Sequence, residues 1–190
     1  MIWRSEALVK GVREYVRVVD GAGDDELELE LREPEERARI LVLYRCSGEV
    51  RGRYVVRQVA PETECEILVS GVVAEAARKE MEMRIEFVPG CVGAKAQERE
   101  EVILTGEPAV NVSWPVMLCG EERVTGTHGV AVGRIDEEQV RYLRSRGLAE
   151  DVARNVLMRA KLVQAVNKIM DEKSKKRAQK WVDGLKLEVV

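Results

Sequence analysis

The sequence predicts a mainly β body, residues 26–134, followed by a helical region over 135–190. Three observations predict it. Hydropathy adopts a period of two at Glu26, short β-rich runs then recur between small or polar breaks, and the pattern changes to helical spacing at Asp136. A single Phe and an abundance of Val, Leu, Ile and Ala suit thin, repetitive β layers better than a bulky sandwich.

Residues 1–25 form an N-terminal segment in which Leu8, Val12, Tyr15 and Val16 fall at helical spacing after a plausible N-cap at Ser5. A short helix over 5–16 is therefore expected. From Glu26, Leu27, Leu29 and Leu31 alternate with glutamates, so one strand face is apolar and the other solvated. Further runs cover 38–45, 53–59, 65–70, 81–88, 101–104, 110–118 and 122–132, with breaks at Ser47–Gly48, Pro61–Glu62 and Pro89–Gly90 and a helical turn at 74–78. Many short strands at near-regular spacing fit a sandwich, a barrel or a solenoid, and periodicity does not choose among them. Asp136 is placed to N-cap a helix that ends at Gly147. A second helix starts near Glu150, with Val152, Val156, Ala160, Val163, Val166 and Met170 as its apolar stripe. The basic stretch 171–180 reads as that helix's solvated end, and Trp181 beyond it calls for a partner surface.

Composition excludes several classes of function. A net charge of −3 gives no whole-chain footprint for nucleic acid. No apolar run approaches the ~18 residues of a membrane span and no signal peptide opens the chain, so a cytoplasmic protein with no membrane or nucleic-acid partner is expected. The four cysteines, Cys46, Cys65, Cys91 and Cys119, form no CxxC and read as reduced, small hydrophobes. Gly21–Asp25 lacks the lysine and helix of a phosphate loop, and there is no HExxH or G-x-S-x-G.

Residues 127–147, THGVAVGRIDEEQVRYLRSRG, closely resemble the C-terminal signature of the SufB/SufD family, H-G-A-x-x-G-x-[IL]-[DE]-x-x-x-[LV]-x-Y-L-x-S-R-G. His128, Gly129, Gly133, Ile135, Asp136, Tyr142, Leu143, Ser145, Arg146 and Gly147 carry the match, supported upstream by Pro115 and by the run Phe87–Ala94 with Gln97. The resemblance implies a right-handed parallel β-helix followed by a small C-terminal helical domain, in a short form without the family's N-terminal helical domain. It also implies a non-enzymatic scaffold of the SUF iron–sulfur cluster assembly system. Such a subunit works with a SufC-like ABC ATPase that supplies the turnover, and pairs as a homodimer or a SufB/SufD-type heterodimer. Gly129 stands where SufB has Glu, and Glu100 where SufB carries its cysteine, so the chain looks SufD-like.

On that resemblance the iron–sulfur cluster is transient, sits at a subunit interface and is absent from the isolated chain. His128, the sole histidine, is the first candidate metal ligand, with Cys119 and Cys91 as thiol candidates and Glu100 as an oxygen surrogate. Antiparallel or stacked strands would bring Cys119 and His128 together. Tyr142, Leu143, Arg144 and Arg146 are the candidate ATPase-facing residues. A rival reading is a stand-alone β-solenoid interaction module without cluster chemistry.

Overall fold

The structure, a computed structural model, describes residues 1–185. Eight strands precede three helices: β1 Ile2–Val9, β2 Val12–Leu31, β3 Arg37–Gln58, β4 Glu64–Val73, β5 Arg78–Phe87, β6 Lys95–Leu104, β7 Val110–Cys119, β8 Thr125–Arg134, α1 Glu137–Ser145, α2 Glu150–Val166 and α3 Glu172–Gly184. Apart from the β1–β2 hairpin, every pairing is parallel, which makes a β-solenoid. One face stacks β1, the first half of β2, the first half of β3, β4, β6 and β8. The other stacks the second halves of β2 and β3, then β5 and β7. The long strands β2 and β3 pass from face to face, β2 through a register shift between Gly21 and Gly23.

The expected N-terminal helix is not there. Residues 5–16 belong to the β1–β2 hairpin, which turns at Lys10 and Gly11, both at positive φ. The first half of β2 is buried on both faces: Tyr15 and Val19 point into the solenoid while Val16 and Val18 lie under the helices. Such a strand loses its polar alternation, and the helical spacing of Leu8, Val12 and Tyr15 was a coincidence of that loss. Ser47–Gly48 likewise is no break, because β3 runs through it. Residues 74–77 make a turn without a helix, closed by Ala77 N–H to the Ala74 carbonyl.

Two cores result. The lumen is filled by stacked apolar positions such as Ile40, Ile67, Val56, Met83 and Ile85. A second core lies outside the first face, where Trp3, Val16, Val18, Leu41, Leu43 and Leu68 meet Met158, Leu162, Ala165, Val166, Ile169, Ala178 and Val182.

The helix pair α1–α2 forms as expected. Asp136 accepts from Glu138 N–H, Gly147 ends α1 at φ +93°, and Arg154 ties Glu137 to Glu150 across the corner. The buried stripe of α2 differs from the expected one. Met158 and Leu162 face the sheet, while Val152 and Val156 remain 45% and 44% exposed. Steps of three and four fit two adjacent stripes on so apolar a helix, and packing against the sheet selects the one with the larger side chains. The basic stretch also starts a helix of its own, α3, N-capped by Asp171 through Ser174 N–H. Trp181 packs against the second core. Residues 186–190 of the expected helical region lie outside the described residues.

Candidate functional site

The last coil, β7 and β8, stacks on β5 and β6 but has no strand beyond it among the described residues. Its inward side chains are therefore left at an open mouth. Register places Asn111, Ser113, Pro115, Met117 and Cys119 above Lys79, Met81, Met83, Ile85 and Phe87. On the opposite wall, Gly126, His128 and Val130 sit above Ala96, Glu98 and Glu100. His128 is exposed and lines two grooves, one of about 420 Å³ with Asn111, Ser113 and Pro115, the other of about 250 Å³ with Gln97, Glu98 and Glu100.

Under the mouth the lumen is polar. The Lys79 ammonium contacts the Glu100 carboxylate and donates to Ser113 Oγ at 2.9 Å, and Asn111 Nδ2 donates to the same hydroxyl at 3.1 Å. Tyr44 donates to Glu100 at 3.3 Å, and Lys79 lies 5.8 Å from the centre of its ring. Burial lowers the Lys79 ammonium from its ordinary value, opposed by the Glu100 charge; burial and then Glu100 raise the Tyr44 phenol well above its own. Opposite charges in so dry a place hold each other, and removing one alone costs about 3–5 kcal/mol. Glu98 has no such support. It is 1% exposed, neither carboxyl oxygen meets a donor in hydrogen-bonding geometry among the described residues, and burial pushes it up to about 8. The Ile85 backbone favours its anion only weakly against that desolvation.

The three metal candidates do not converge. Met117 fills the space where a side chain at position 126 would stand, so Cys119 lies beyond the corner from His128. Cys91 is buried in the preceding turn, its thiol raised by burial and then by the nearby Glu121 and Cys119. His128 shares neither of its grooves with Cys119 or Cys91, whereas Cys119 lies near enough to Cys91 for its charge to act on that thiol. Among the described residues no three of His, Cys, Asp and Glu are grouped to hold a metal ion. On the helices, Tyr142 is 57% exposed and stacked by Arg146 at 5.2 Å, Leu143 is half-buried, and Arg144 pairs with Glu150 at 2.9 Å.

The outer face of the last coil also changes character. On β5 the outward positions are Arg78, Glu80, Glu82, Arg84 and Glu86, joined to charges on β3 and beyond. The positions stacked on them are Val110, Val112, Trp114, Val116 and Leu118, with Trp114 50% and Leu118 47% exposed.

Residues 22–161, covering most of the solenoid and much of the helical pair, match the family described as SUF system FeS cluster assembly, SufBD core domain. The chain belongs to the SufBD family. SufD of Bacillus subtilis is 31% identical over 111 residues, 58% of this chain and 25% of that protein. SufD of Escherichia coli is 28% identical over 101 residues, 53% of this chain and 24% of its own length. A SufBD-family protein of Mycobacterium leprae is 45% identical over 49 residues, 26% of this chain and 12% of that protein. The match thus spans about a quarter of the SufD relatives' length. In this SufBD core, β1, the first part of β2 and α3 lie outside the matched segment, so the second core is built partly from residues beyond it.

Sequence reasoning singled out His128 and Glu100 but not Glu98, Lys79, Asn111 and Ser113, which the fold places at the same open end. In the run Gln97–Glu101 charges follow one another without an apolar residue, which reads as a solvated edge. The only signal was parity with Ala96 and Val102 across the register.

Proposed function

We propose that this SufBD-family chain is a scaffold subunit in iron–sulfur cluster assembly, SufD-like in role, pairing through the open end of its solenoid and moved by a SufC-like ABC ATPase that grips its helices. The observation that carries this reading is the last coil, where two unpaired strand edges and an exposed apolar face surround the signature histidine, His128. Unpaired edges and a patch of this kind need covering. A second copy or a sister subunit would cover both and would supply the thiolates that this chain does not gather around His128. The nascent cluster, as cargo, would then lie between subunits.

The exposed Tyr142–Arg146 stack on α1, with Val152 and Val156 of α2, supports the helical pair as the ATPase-facing surface. Co-expression with the cognate ABC ATPase tests this: Tyr142→Glu should reduce co-purification at least about tenfold, as loss of a central aromatic anchor does. Undiminished complex formation by the folded variant overturns the assignment. A stand-alone interaction module is the second reading, favoured by the lack of three convergent metal ligands among the described residues. Anaerobic reconstitution with iron and sulfide, with partner present, separates the two: a coloured cluster supports the scaffold, and a colourless complex supports the module.

A further inference from the structure

We infer that the outer edge of β2 on the second face, over Asp24–Glu30, accepts one added strand from a partner protein, an extended segment in which arginine or lysine alternates with apolar residues. This edge lies at the opposite end of the solenoid from His128, and the inference does not rest on the function proposed above.

Strand β1 covers only part of β2. Its residues Ile2–Val9 pair with Val12–Val19, and Met1 exchanges backbone hydrogen bonds with Asp20. Beyond the register shift at Gly21 and Gly23, residues 23–31 pair with β3 on one side and, among the described residues, with no strand on the other. Such an edge templates further pairing unless a lysine, a proline, a bulge, an inward charge or a cover blunts it. Between Asp24 and Glu30 there is neither lysine nor proline, and the register shift lies before that stretch. Asp25, the inward charge, is already held by Arg4, Arg17 and Tyr54.

Charge decides which strand fits. Asp24, Glu26, Glu28 and Glu30 form the outward row of the edge, with Leu27, Leu29 and Leu31 turned inward. One coil further in, bases of β3 stand between acids of both neighbouring strands: Arg53 between Glu28 and Glu82, Arg57 between Glu30 and Glu86. The acids of β2 have strand-borne bases on one side only. Opposite charges facing each other on adjacent strands attract and like charges repel. A strand outside β2 therefore continues the alternation when its outward side chains are basic and its inward ones, above Leu27 and Leu29, are apolar.

A second copy does not fit. The outward row of its β7, Val110, Val112, Trp114, Val116 and Leu118, is apolar, so end-to-end stacking would set that row against acids. On the first face β1 runs antiparallel to β2, which stops a parallel solenoid from continuing over both faces. The row Ile2, Arg4, Glu6 and Leu8 on β1 has no single sign of charge. The end thus offers room for one strand, with main-chain hydrogen bonds giving affinity and alternate side chains giving choice.

The test titrates the full chain into a fluorescent, end-capped peptide, Arg-Val-Arg-Val-Arg-Val-Arg, and reads anisotropy at low salt. Binding should saturate at one equivalent, and a peptide of the same composition with its arginines and valines in separate blocks should bind at least about tenfold more weakly. In a strand the N–H groups of alternate residues point to the same side. N-methylation of the arginines alone, or of the valines alone, therefore blocks opposite edges of the peptide at unchanged charge. One methylated peptide should lose binding and the other keep it. Asp24→Lys combined with Glu26→Lys, both exposed, should weaken binding of the unmodified peptide about tenfold with the circular dichroism spectrum unchanged. Equal behaviour of the two methylated peptides would show attraction between charges without strand addition and overturns the inference. Absence of saturable binding by the unmodified peptide, or parent-like affinity in the charge-reversed chain, overturns it too.

Discussion

At the scale of single residues, the interior shows how a β-solenoid treats charge. Asp25, Glu14 and the Lys79–Glu100 pair are dry but partnered, whereas Glu98 is dry and, among the described residues, has no charged side-chain partner. This has a consequence for stability. The folded carboxyl titrates at about 8, above its ordinary value of 4.5, so between these values the native state holds a proton that the unfolded chain has released. Stability therefore falls as pH rises across that window. Glu98→Gln removes this slope and should be more stable than the parent above about pH 8. Urea denaturation with a chelator present, between about pH 5 and pH 9, measures it; a parallel decline in both proteins would refute the assignment. Close packing acts at the same scale. A methyl group on Gly71 would come within 2.5 Å of the buried Tyr44 ring, the ring that donates to Glu100, so that glycine is needed for the polar cluster to form.

At the scale of elements, the joint between solenoid and helices rests on Glu14. Its carboxylate accepts from Met170 and Asp171 N–H at the α2–α3 junction, and Arg39, paired to it at 3.4 Å, also donates to the Lys168 carbonyl. Residues 156 positions apart in the chain are thereby fastened at one buried point. Glu14→Ala leaves two N–H groups and a guanidinium short of a partner and should cost about 3 kcal/mol, against the 1–3 kcal/mol of one unsatisfied group. Hydrogen exchange of the α3 amides should accelerate well before that of β3. Uniform protection across both elements would show that the joint is carried by apolar contacts alone.

At the scale of the whole molecule, the second face of the solenoid carries a charge ladder. Glu28, Arg53 and Glu82 link one series of rungs, and Glu30, Arg57 and Glu86 link another. The ladder stops at β7, whose outward face is apolar and whose outer edge has no strand partner among the described residues. A partner covering this coil would bury Trp114, so Trp114→Glu should shift self-association or pairing by at least about tenfold, on the scale of an interface aromatic. Sedimentation velocity reads this directly. The melting temperature should stay near the parent's because that side chain is half exposed in the single chain. An unchanged association constant would remove the open coil from the interface.

Much of this architecture was legible in the sequence, and the parts that were not share a cause. Strands with one wet face, such as Glu26–Leu31, announced themselves by alternation, and the α1–α2 corner by its cap, its glycine and its apolar steps. The signature around His128 identified the family before any coordinate. Tertiary structure alone decided that 12–21 is a strand, which stripe of α2 is buried and that α3 exists, because in each case burial against a distant segment chose between equally good local patterns. It alone decided the site as well. Glu98 and Glu100 lie far along the chain from His128 and, unlike it, are unremarkable there, and only parallel register, coil over coil, stacks them at one mouth.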